Sequence, residues 1–152
     1  MVKANWLLNC ARFIEWPERA FSDMHSPFII GVLGKDPFGK SLDKAFEGKV
    51  VKGRPFVVRR LSASQDLKAC HILFVSPSER KRTRDLLAKL KGAPVLTVGE
   101  TDEFLAQGGM MQFVRKEDTI RFAVNLEPAQ SARLYLNANL LKVAVSVRGR
   151  YE

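Results

Sequence analysis

The stretch Phe28 to Phe46, FIIGVLGKDPFGKSLDKAF, limits what this chain can fold into more than any other. Phe28, Ile29, Ile30, Val32 and Leu33 form a nearly unbroken apolar run rich in β-branched residues. That is the pattern of a strand buried on both faces. A tight loop from Gly34 to Gly39 follows. Leu42, Ala45 and Phe46 then recur at helical spacing, and Gly48 is placed to stop the helix. Strand, glycine loop and helix open a βαβ unit, and sheets of this kind take ligands at the loop end of their strands.

The loop also matches a phosphate-binding pattern. Gly34-Lys35-Asp36-Pro37-Phe38-Gly39-Lys40-Ser41 satisfies G-x-x-x-x-G-K-[ST] in the strand-loop-helix setting the pattern requires. The chemistry fits poorly. Such a loop wraps phosphates with consecutive backbone N–H groups, and Pro37 has none to give. A nucleotide hydrolase also needs an acidic residue at the end of a second buried strand to hold Mg²⁺. The other buried runs end in Ser76 and Gly99. The alternative is a βα turn whose glycines relieve crowding.

With 152 residues the chain has the length of a single domain, residues 1–152, with a substantial core. Its hydrophobic fraction of 46% and charged fraction of 27% are those of a globular protein, and its longest apolar runs are strand-length. The net charge of +9 raises a nucleic-acid reading, but the only dense cluster is Arg80, Lys81, Arg82 and Arg84 within one predicted helix. A charge run of that kind reads first as a solvated helix face, and second as a surface for nucleic acid or lipid headgroups. Cys10 and Cys70 give no metal spacing, and spacing leaves their pairing open. His25 and His71 are too few and too scattered for a zinc site. His71 reads as a satisfied structural histidine at the start of an apolar strand.

Taken in order, Val2 to Trp16 is expected to be an amphipathic helix with Trp6, Leu7, Cys10, Phe13 and Ile14 on one face, ended by Pro17. Both tryptophans are expected in the core. Strands are expected at Pro55 to Leu61, Cys70 to Val75 and Val95 to Val98. Ser76-Pro77-Ser78-Glu79 writes a helix start with a cap, a proline at the first helical position and a glutamate behind it. That helix runs to Leu90, and a small helix is expected over Thr101 to Gln107. The period then switches to two: Met111 and Phe113 alternate before Lys116-Glu117-Asp118, and Ile120, Phe122 and Val124 after it, which reads as a hairpin. A helical segment opens at Pro128, and a last amphipathic helix, Ala138 to Val147, is capped by Asn137. The sum is an α/β fold: a three-layer sandwich, its largely parallel sheet ending in an antiparallel hairpin, with helices on both faces.

The ordered set of local patterns resembles the YfiR-like family of bacterial periplasmic domains. The resemblance rests on Ala11-Arg12-Phe13-Ile14-Glu15-Trp16-Pro17, Gly31-Val32-Leu33-Gly34 with Asp36-Pro37-Phe38-Gly39, Gly53-Arg54-Pro55 and Cys70-His71-Ile72-Leu73-Phe74. It continues through Gly108-Gly109-Met110 with Phe113, Phe122, Asn125-Leu126 and Leu140-Leu141, and so covers almost the whole chain. It implies that Lys40-Ser41 is incidental, since the family's Asp-Pro-Phe-Gly loop recurs without that pair. It also implies a periplasmic location with a signal peptide ahead of the domain. YfiR itself represses a membrane-bound diguanylate cyclase and so lowers cyclic di-GMP signalling. The resemblance further argues against a Cys10–Cys70 bridge, because the family more often has an aromatic where Cys10 stands.

No nucleophile, base and orienter assemble in the sequence, and no carboxylate pair stands out for acid–base work. That absence favours a binding module without cofactor over an enzyme, and the resemblance implies that the module is a non-enzymatic periplasmic regulator. It would bind a membrane-bound sensor or diguanylate cyclase through that partner's periplasmic part, gated by a small ligand. The alternatives are a nucleotide-binding protein using Lys40 and Ser41, and a nucleic-acid binder using Arg80 to Arg84. Two sites are expected. One is a weak anion site at the loop end of the sheet, from Gly34, Gly39, Ser76 and Ser78 with the charges of Lys40 and Arg80. The other is an uncovered apolar patch for a partner or for homodimer formation, from Met110, Val114, Val143 and Val145. Full mutual packing of hairpin and last helix is the alternative to that patch.

Overall fold

A computed structural model describes residues 2–149. Its framework is an eight-stranded sheet in the order β10-β8-β7-β6-β5-β2-β4-β3. Strand β2 (Phe28–Leu33) lies in its interior, paired in parallel with β4 (Arg54–Leu61) on one side and β5 (Ile72–Val75) on the other. Strands β6 (Leu96–Gly99) and β7 (Met111–Lys116) continue the parallel run, and β8 (Thr119–Asn125) returns antiparallel to β7. The expected α/β sandwich with a largely parallel sheet and a late hairpin is what is found.

The alternation along the central strands sets up two cores. Ile30, Val32, Ile72 and Phe74 point to one face, where helices α1 (Val2–Phe13), α2 (Lys40–Phe46) and α4 (Leu126–Ser131) contribute Leu7, Leu42, Phe46 and Ala129. Leu33, Leu73 and Val75 point to the other, under Leu86, Leu87 and Leu90 of α3 (Thr83–Leu90). Each fully buried aliphatic side chain of this kind contributes roughly 1.5–3 kcal/mol. Cys10 belongs to the first core and Cys70 to the second, so the sheet separates them and both are free. Burial pushes their thiols up to about 12 and about 11, and they act as small apolar side chains.

Four points of the sequence reading are corrected or extended. The first helix ends at Phe13, because Ile14–Glu15 (β1) leaves it to pair antiparallel with Tyr135–Leu136 (β9). Val50–Val51 (β3), assigned to no element from sequence, forms a short edge strand against Arg54 and Pro55 through a turn at Lys52-Gly53. Both turn residues have positive φ, the geometry of a two-residue hairpin. Thr101 to Gln107 is a succession of turns and not a helix.

The fourth correction matters most: the last helix, α5 (Ala138–Lys142), is one turn long, and Ser146–Arg148 (β10) lies parallel to β8 along the sheet edge. The run Val143-Ala-Val-Ser-Val suits a pleated strand as well as a helix. The open edge of β8 takes it: Val145 N–H donates to Phe122 C=O at 2.8 Å.

The turns after β6 exist to seat one ring. A Cβ on Gly99 would stand 2.4 Å from Phe104 Cδ1, and one on Gly109 2.2 Å from Phe104 Cε2. The ring therefore lies between two bare stretches of backbone and is 1% exposed. Gly99→Ala and Gly109→Ala each overfill this slot. Chemical denaturation is expected to show a loss of about 1–3 kcal/mol for either, typical of overpacking. Gly92→Ala, whose Cβ would meet open space, tests by contrast only the positive φ at that turn.

Candidate functional site

The predicted anion-site residues fall into two groups. Gly34, Ser76 and Ser78 meet where β2 and β5 end. Gly34 has φ +91°, and a Cβ there would stand 2.5 Å from Ser78 Oγ. Lys35 N–H donates to Ser78 Oγ at 2.9 Å, Ser78 Oγ donates to Glu79 at 3.3 Å, and Ser78 N–H donates to Ser76 Oγ at 3.4 Å. The buried Glu79 carboxylate thus stands where an anion was expected, a placement that works against anion binding. Gly39 and Lys40 lie at the far end of the loop. There Arg60 donates to Asp36, to both oxygens of Asp43 and to Gly39 C=O. This fork holds the Asp43 carboxyl below its usual range, mainly through the Arg60 hydrogen bonds. Phe38 N–H, next to Pro37, is taken by Asp36 Oδ1 at 2.8 Å. Arg80 turns away to pair with Glu103 at 3.2 Å.

The apolar-patch residues also divide. Met110 is 5% exposed and belongs to the core, which corrects its expected exposure. Val114 is half-buried on β7. Val143, Val145 and Val147 are 43%, 36% and 41% exposed, and they follow one another around the open sheet edge at β10.

A concavity with mixed chemistry lies at the opposite end of the sheet from the expected ligand end. Its volume is about 440 Å³, and Trp16, Phe21, Phe28, Val51 and Arg54 are in its wall. Phe28 and Arg54 open β2 and β4, and His71 directly precedes β5, so all three stand where the parallel strands begin. Residues 17–27 form a strap across these strand starts. Phe21 of the strap stacks on His71 with centroids 4.4 Å apart, and His71 stacks in turn on Phe28 at 5.0 Å. Trp16 packs edge-on against Phe28 at 4.9 Å.

Arg54 clamps the strap from outside. Its guanidinium lies 3.7 Å from the Phe21 ring centroid, and Nη1 donates to Asp23 C=O at 2.8 Å and Ser26 C=O at 2.8 Å. Glu18, Asp23 and Lys52 add charge of both signs at the rim. The arrangement suits a small molecule with a flat apolar body and polar ends. Among the described residues no three His, Cys, Asp or Glu side chains converge as a metal site. Sequence reading missed this site, although Trp16, Arg54 and His71 each sit in a segment that carries the family resemblance. Only their convergence was hidden.

A three-layer α/β domain with a strap-covered aromatic pocket and an open valine-lined edge is the class of protein defined here. The chain belongs to the YfiR/HmsC-like family, whose model matches residues 1–145, and that family is one of periplasmic regulatory domains. No curated protein matches the chain. A similar solved structure is the ABC domain in complex with L-Trp from Streptococcus pneumonia, at 12% identity and TM-score 0.53. The match covers 79% of this chain and 55% of that one, and at this identity the likeness is one of fold alone. No described helix is long and apolar enough to cross a membrane.

Arg54→Met keeps the length of the stem but removes the charge and its donors. Hydrogen exchange is expected to accelerate across residues 17–27, and stability to fall by about 1–3 kcal/mol, in keeping with lost charge-assisted hydrogen bonds and a cation–π contact. Unchanged exchange in the strap would show that Arg54 does not hold it.

Proposed function

We propose that this protein is a non-enzymatic regulator that acts in the periplasm by binding the periplasmic part of a membrane-bound signalling protein, such as a diguanylate cyclase, and repressing it. The observation that carries this reading is the exposed row Val143, Val145 and Val147 beside β10, the edge strand of the sheet among the described residues. An edge strand presents unpaired backbone N–H and C=O groups to a second chain, and neighbouring apolar side chains supply the area and the selectivity. Charged gatekeepers blunt many such edges, but here Arg148 is the only charged residue among Val143 to Arg148. Membership of the YfiR/HmsC-like family supports a regulatory role. The same edge can pair with its copy in a homodimer, which would compete with the partner.

The test is co-purification with the periplasmic domain of the membrane sensor encoded beside this protein, for wild type and for Val143→Glu and Val145→Glu. A carboxylate within an apolar contact is expected to weaken binding at least tenfold and to raise cyclic di-GMP in cells, while the folded state persists because both sites are exposed. Light scattering reads the homodimer in the same samples. Folded variants that bind and repress like wild type would move the partner surface elsewhere.

A further inference from the structure

We propose that His71 is a proton-operated latch: the neutral ring locks the strap of residues 17–27 over the aromatic pocket, and protonation of Nδ1 releases it. The inference rests on the geometry of the strap and is independent of the partner proposed above. Nδ1 accepts the Ile29 N–H at 2.9 Å, and Nε2 lies 2.7 Å from Ala20 C=O. A carbonyl can only accept, so Nε2 carries the proton and Nδ1 must stay bare. One ring therefore joins the start of β2 to the middle of the strap, with one nitrogen committed to each. The neutral tautomer is the single form that satisfies both.

A second proton has one place to go, Nδ1, and there it would face the Ile29 N–H. The ring has to turn out of this contact, and turning breaks its stacks on Phe21 and Phe28. Nothing nearby compensates the new charge. Of the elements packed against the ring, β2 presents Phe28 and Ile29, the strap presents Ala20 and Phe21, and Trp16 donates its indole N–H to His71 C=O at 3.0 Å. None of these titrates. The charged group on this side is Arg54 of β4, across the Phe21 ring, a cation that opposes a second one. Glu18 and Asp23 stand in the pocket wall, and neither carboxylate pairs with the imidazole.

Burial, and to a smaller extent Arg54, holds the His71 imidazole below its ordinary value, against the raising effect of its hydrogen bond to Ala20. The sign follows from linkage. With the closed-strap value depressed below that of a free imidazole, about 6.5, the latch is at full strength above that pH and weakens as pH falls through the closed-state value. Release uncovers one wall of the pocket, since Phe21 belongs both to the strap and to the lining. Arg54 still holds Asp23 and Ser26, and Arg19 still donates to Gly92 C=O at 3.1 Å, so release loosens the strap around Ala20 and Phe21 without detaching it. Acidification thereby changes what the pocket can hold.

The experiment is amide exchange at Ile29 and across residues 17–27 from pH 7.5 to 5.0, corrected for the intrinsic pH dependence of exchange, with the His71 ring titrated by NMR in the same range. Corrected opening is expected to rise about tenfold, with a ceiling of roughly 30-fold for one proton on an imidazole of ordinary affinity. The His71 titration is expected to show a midpoint below 6.5. In His71→Asn, Oδ1 can accept the Ile29 N–H at every pH, so the rise is expected to vanish whatever the variant's overall stability. Opening that does not respond to pH in the wild type, or a rise that persists in His71→Asn, overturns the proposal. So does a His71 midpoint at or above 6.5.

Discussion

The close approach of β5 to β2 at Gly31 is the constraint on which the rest of the structure depends. Gly31 pairs with Arg59 on one side and Leu73 on the other. A side chain here would point into the second core, where a Cβ would lie 2.5 Å from Cys70 Sγ and 3.1–3.2 Å from Leu61 and Leu73. The missing side chain lets Cys70 fold over β2 just before β5 begins, and this sets the position of the next residue, His71. The backbone confirms the register: His71 N–H donates to Ile29 C=O at 2.9 Å, and His71 C=O accepts from Leu96 N–H at 2.9 Å. A residue that looks merely permissive thus fixes where an imidazole meets the strap.

The two ends of the sheet are built differently, and the difference bears on function. At the loop end, the polar groups are satisfied among themselves: Arg60 takes two aspartates, and Ser78 and Glu79 close over Gly34. At the other end, the strap is held by a few side chains, His71 and Arg54 above all, over a cavity with exposed charge at its rim. A region held by few contacts is drawn from the low-stability part of a fold, where binding and switching segments are found. The usual expectation for parallel sheets, ligand at the carboxyl ends of the strands, is thus opposed by the side chains that occupy those ends.

The edges of the sheet differ as well. The β3 edge is two residues long and ends at a tight turn, and beyond it the open side of β4 carries the exposed charges of Arg59 and Arg60, which blunt it as a template for pairing. The β10 edge continues the hairpin of β7 and β8 and carries its valines outward. The apolar residues at the end of the chain divide: Met110, Met111 and Phe113 are buried, Val114 is half-buried, and Val143 and Val145 are exposed. Met110 is buried in the same core as Val98, Leu126 and Leu140 of α5.

Much of this fold was legible in the sequence because its strongest signals are local. The buried runs at Phe28–Leu33 and Ile72–Val75, the period-two alternation about Lys116-Glu117-Asp118 and the cap at Ser76 each describe hydrogen bonding or burial within a few residues. Where a segment's partner lies far away in the chain, the sequence could not decide. Ile14–Glu15 is pulled from a helix by Tyr135–Leu136, and Val143–Val147 suits helix or strand until the edge of β8 claims it. The candidate pocket belongs to this second kind. Trp16, Phe21, Arg54 and His71 were all visible as residues, but they come from three separate stretches, and no spacing rule joins them. By itself the sequence determined the strands, the turns and the alternation that splits the core in two. Tertiary packing alone decided which strand starts share a strap and which edge stays open, because both depend on contacts between segments that are neighbours in space and strangers in sequence.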